Sequence, residues 1–88
     1  MMYLDIINYL IQECAGGIAL ERVYDSEYAS YHFRVYDRET QTIAHEILET
    51  MGMRRHYRVR GCDEIVLATK DLDRRLRIQI AYSTEWEE

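Results

Sequence analysis

From Tyr3 to Cys14 the apolar residues return every three or four positions. Tyr3, Leu4, Ile7, Leu10, Ile11 and Cys14 share one helical face, and Asp5, Asn8 and Gln12 share the other. Ile6 and Tyr9 fall off that stripe, and an exposed tyrosine on a helix is a contact residue in waiting. Gly16 and Gly17 then supply helix-ending chemistry. Residues 18–24 and 31–37 change to a two-residue period, with a turn near Asp25 and Ser26. In the second run Tyr31, Phe33 and Val35 alternate with His32, Arg34 and Tyr36. The first run alternates less cleanly: Arg22 interrupts the face of Ile18, Leu20 and Tyr24 while Val23 sits opposite, which fits a bulge.

The helical period resumes over 39–51, where Ile43, Ala44, Ile47, Leu48 and Met51 form the apolar stripe and His45, Glu46 and Glu49 the polar side. Asp37 or Thr40 serves as N-cap and Gly52 as the stop. Strand character follows over 54–60, over 65–69 and over 75–82, with turns at Gly61–Asp63 and Asp71–Asp73. In the last strand Leu76, Ile78, Ile80 and Tyr82 face in, and Arg75, Arg77 and Gln79 face out. The order α-β-β-α-β-β-β predicts an α+β fold: a two-layer sandwich with two helices on one face of a mostly antiparallel sheet of four to five strands. Each half opens with a helix, a glycine stop and a hairpin, but the residues of the halves align poorly.

Length and composition keep this picture to a single domain over residues 1–88, with an acidic tail from about residue 83. Two cysteines without CxxC spacing fit a reducing, cytoplasmic setting rather than a disulfide scaffold. The first residues lack the basic start of a signal peptide, and no apolar run is long enough for a membrane helix. Net charge of −5 conceals a division. Residues 1–52 hold nine acids against three arginines, residues 53–82 hold eight bases against four acids, and the last six residues hold three glutamates. Ten of the eleven bases are arginine, the side chain best suited to carboxylates, phosphates and aromatic rings.

Catalytic chemistry finds little footing. His45 and Glu49 belong to a HExxE string, which lacks the second imidazole of a zinc-binding HExxH, and they read as a helix-surface pair. Cys14 reads as a core residue, and Cys62 stands beside Asp63 and Glu64, which oppose a thiolate. GxSxG, phosphate-loop and GxGxxG motifs are missing. No catalytic residue, metal ligand or cofactor is expected.

The arginines remain. Alternation places Arg34, Arg54, Arg58, Arg60, Arg75 and Arg77 on the outer sheet face with Tyr36, His32 and His56, and Tyr9 marks a second contact surface. Clustered guanidiniums need neutralising by Glu21 or the tail acids Glu85, Glu87 and Glu88, by a nucleic-acid backbone, or by acidic protein. Tyrosine and arginine dominate protein interfaces. The expectation is therefore a non-enzymatic protein-binding module that also pairs with itself as a homodimer. Small acidic single domains without motifs are frequent among the accessory proteins of viruses and mobile elements, and by that analogy the chain is expected to act by binding a partner protein. Nucleic-acid binding through the arginine face is the alternative, and the acidic balance counts against it.

Overall fold

The computed structural model describes residues 3–25, 29–60, 64–70 and 75–83. The elements are α1 (Tyr3–Glu13), β1 (Ile18–Asp25), β2 (Ala29–Val35), α2 (Arg38–Thr50), β3 (Arg54–Arg60), β4 (Glu64–Lys70) and β5 (Leu76–Ser83). The fold is α+β with two helices, as the periodicities imply.

Local chemistry fixes the ends of α2. Asp37 is extended, and its Oδ1 accepts from the Thr40 backbone N–H at 2.6 Å, satisfying one of the helix's orphan donors. At the other end Gly52 takes φ +94°, the left-handed conformation that glycine tolerates without cost. Gly52 N–H donates to the Glu49 carbonyl and Met53 N–H to the Leu48 carbonyl, each at 3.0 Å. These are the paired closing bonds of a Schellman end, and its hydrophobic clasp is present because Leu48 and Met53 are both buried.

The sheet runs in the order β1-β2-β5-β4-β3. β1 pairs antiparallel with β2, and β3, β4 and β5 follow one another antiparallel. The two groups join through a parallel pairing of β2 with β5, in which Tyr31, Phe33 and Val35 stand opposite Ile78, Ile80 and Tyr82. α2 lies over β5 and β4, and α1 packs beside α2. One core results: Ile6, Ile7, Leu10 and Cys14 from α1, Ala44 and Leu48 from α2, and the inner residues of β2, β4 and β5. Gln41 pins helix to sheet, because its buried amide donates to the carbonyls of Ile65 and Ile80 on adjacent strands, at 2.7 and 2.8 Å.

Two apolar stripes differ from expectation. On α1, Ile6 turns into the core while Leu4 and Ile11 are exposed. On α2 the buried residues are Gln41, Ala44, His45 and Leu48, so His45 is interior rather than on the polar side. Ile43 is exposed and Ile47 is only partly buried. Irregular β1 resolves as a bulge, with a register shift between Leu20 and Arg22. It returns Val23, opposite Tyr31, to the inner face and sends Tyr24, opposite Ser30, to the outer one. The turns containing Ser26, Cys62 and Asp71–Asp73, and the tail glutamates, lie outside the described residues.

Candidate functional site

The outer face of the sheet is built by alternation on β1, β2 and β5. In the parallel register Ser30 stands opposite Arg77, His32 opposite Gln79, and Arg34 opposite Ala81. Because the inner partners of these strands are buried, their intervening side chains turn away from the helices. The β1 bulge brings Glu21 and Arg22 alongside. Glu21 Oε1 accepts from Arg34 Nε at 2.7 Å, which supplies within the sheet one of the neutralising carboxylates expected for the arginines.

A second chain of contacts crosses the same face. Arg22 donates to the Tyr24 hydroxyl at 3.3 Å, and the Tyr24 ring meets the His32 ring at 4.9 Å between centroids, tilted by 56°. Ser30 Oγ lies 3.0 Å from His32 Nε2. Partial burial lowers the His32 pKa, and the Arg22 charge pushes the same way. Between Glu21, Arg22, His32, Arg34 and Gln79 lies a shallow polar depression of about 270 Å³. Its lining holds guanidinium donors, one carboxylate and the His32 ring.

The structure brings Arg34, Arg77 and His32 onto this face. Arg75 is exposed immediately before β5, where its carbonyl accepts from Ala29 N–H at 2.7 Å. Tyr36 is 54% exposed, just beyond β2, and Arg54 is exposed on β3 opposite Lys70. The side chains of His56, Arg58 and Arg60 lie outside the described residues. The backbone of β3 nonetheless shifts register between Arg55 and Tyr57, which interrupts the alternation behind a single shared arginine face. Arg55 reaches toward Glu49 of α2, at 3.9 Å. Tyr9 stands apart, on the helix layer. Glu21 is the carboxylate expected to pair with the arginines, whereas Arg22 and Tyr24 are absent from the expected site; their one sequence signal is the broken alternation of β1.

The helix layer carries two further concavities. An apolar groove of about 590 Å³ separates α1 from α2, lined by Tyr9, Ile43, Ile47 and Met51, with Asp5 and Glu46 also at its walls. A smaller polar cleft of about 350 Å³ includes Arg38, His45, Glu49 and Arg55. Burial lowers the His45 pKa, opposed by Glu49 and Glu46 and assisted by Arg55. Burial, with help from Glu13, raises the pKa of the Cys14 thiol, which disfavours the thiolate. Among the described residues no three His, Cys, Asp or Glu side chains are grouped so as to hold a metal ion. No helix among them is long and apolar enough to cross a membrane. No protein-family model, curated protein or solved structure matches the chain.

Proposed function

We propose that this chain is a non-enzymatic module that works by binding protein, second copies of itself included. One observation carries the reading. Among the described residues, Tyr9 and Ile43 are exposed on the walls of the groove between the helices, and Leu20, Val23 and Tyr24 are exposed on β1. Scattered exposed apolar residues are ordinary, but gathered ones mark contact surfaces. The polar depression on the outer face adds Arg22 and Arg34, the residue type enriched at protein interfaces.

Binding of nucleic acid by the outer face is the less favoured reading. The Arg34–Glu21 pair lowers the positive potential of that face, and a binder that neutralises phosphates relies on cations without such partners. The test is capture of partner proteins from cell lysate by the immobilised chain, run beside a Tyr9→Ser/Ile43→Ser variant. Both residues are exposed, so the variant should fold. The reading expects specific partners that the groove variant loses, or self-association in light scattering. A monomer that captures nothing sinks it. Salt-sensitive binding to DNA or RNA that weakens on Arg77→Ala would put the nucleic-acid reading in its place.

A further inference from the structure

β1 is an edge strand: among the described residues it is hydrogen-bonded only to β2. The outer rim of such a strand offers a row of unpaired backbone N–H and C=O groups, a template for another strand. Edges are commonly blunted by brevity, proline, lysine and other charges, or a bulge, and of these β1 has the bulge and the charges of Glu21, Arg22 and Asp25. β1 runs for eight residues, contains neither proline nor lysine, and is exposed from Leu20 to Asp25.

Within its sequence, Ile-Ala-Leu-Glu-Arg-Val-Tyr-Asp, the central Leu20–Val23 segment is complementary to itself in one antiparallel register. A two-fold axis perpendicular to a sheet keeps every residue on its own face, so cross-strand partners must share a face. In an unbroken strand the faces alternate, and an axis falling between two residues sets inward side chains against outward ones. The bulge of β1 removes that conflict. Leu20 stands opposite Phe33 and Val23 opposite Tyr31, both on the helix side. Glu21, bound to Arg34, and Arg22, opposite His32, are both on the outer side.

We infer that β1 is the seam of a homodimer, in which β1 of a second copy adds antiparallel about a two-fold axis between Glu21 and Arg22. This rests on the protein-binding reading above and names the partner. The register sets Leu20 against Val23 of the second copy, apolar on apolar, and Glu21 against its Arg22, charge on opposite charge. Ala19 faces Tyr24 of the second copy on the outer side, where the small residue leaves room for the ring. Ile18 faces Asp25 on the inner side. Shifting the register by one residue either way puts an outward residue against an inward one beside the axis. Two five-stranded sheets then join into one continuous sheet through their β1 edges.

Sedimentation of the full chain over about 1 to 500 μM tests this, the range in which the smaller protein interfaces dissociate. The wild type should pass from one chain to two. Glu21→Arg and Arg22→Glu should each stay monomeric, because like charges then face each other across the axis. An equal mixture of these two variants should recover a dimer containing one of each, and the Glu21→Arg/Arg22→Glu double variant should dimerise alone. Circular dichroism melting confirms that each is folded, and Val23→Lys, at a site already half exposed, gives a second way to break the seam. A dimer indifferent to both reversals and to Val23→Lys overturns the seam and leaves the protein-binding reading standing on another surface. A wild type that stays monomeric throughout also overturns the seam, and lysate capture then decides the broader reading separately.

Discussion

His45 sits one turn after Gln41 and three residues before Leu48, so the helix carries it inward with them. It is 3% exposed, its Nδ1 lies 3.5 Å from Glu49 Oε1, and among the described residues its Nε2 has no hydrogen-bond partner. A second proton would place a charge in the helix–sheet layer with nothing at Nε2 to accept it. The unfolded chain binds that proton near pH 6.5, whereas burial lowers the folded value. The stabilising contribution is therefore complete above about pH 6.5 and is lost as the pH falls toward the lowered folded pKa, with a slope of at most about 1.4 kcal/mol per pH unit. His32, also lowered, acts in the same direction. Urea unfolding at pH 7.5, 6.5 and 5.5 should show the midpoint falling with acid, and His45→Gln should flatten that fall. An unchanged slope in His45→Gln would mean the ring carries its proton inside the fold. The contact of His45 with Glu49 is legible from i,i+4 spacing, but its burial is not. Hydropathy ranks Ile43 above His45 and so rotates the stripe the wrong way, while Gln41 and His45 are inside because of where they sit.

At the scale of elements, β5 is the best-determined part of the chain. Leu76, Ile78, Ile80 and Tyr82 are buried and the residues between them are not, as strict alternation on a central strand requires. Ile78→Ala should cost roughly 2–5 kcal/mol in denaturant unfolding, the usual loss for a fully buried large side chain. Arg75→Ala, exposed just before the strand, should cost less than about 0.5 kcal/mol. Ile47→Ala belongs between them because that side chain is only partly buried, although its place on the apolar stripe suggests a full core residue. If Arg75→Ala proved as damaging as Ile78→Ala, the inside and outside of β5 would be reversed. Helix α1 resists such reading for a physical reason. Leu4, Ile6, Ile7, Leu10 and Ile11 spread around more of the helix than one contact can cover, so periodicity alone does not say which edge of the arc is buried. β1 was ambiguous for the opposite reason, since one extra residue reverses its phase halfway along.

At the scale of the whole molecule, the chain divides after Tyr36 into α1-β1-β2 and α2-β3-β4-β5, and sequence alone cannot say how the two meet. Strand order depends on contacts between residues far apart in the chain, and no local pattern records them. The structure joins the halves at the centre of the sheet, through β2 and β5. Phe33 and Val35 of β2 are 1% and 0% exposed only because Ile80, Tyr82 and α2 lie against them, and Leu10 of α1 belongs to the same cluster. Neither half can bury its apolar face alone, and a lone hairpin with one helix is marginal in water. Fragments 1–36 and 37–88, made separately, should each melt without a cooperative transition. Mixed at equal concentration, they should regain a single cooperative melt, because the β2–β5 pairing and the shared core are contacts that do not need a continuous chain. Should fragment 1–36 unfold cooperatively by itself, the first helix and hairpin would be a folding unit of their own, and the β2–β5 pairing would be a docking contact between two small domains rather than the centre of one.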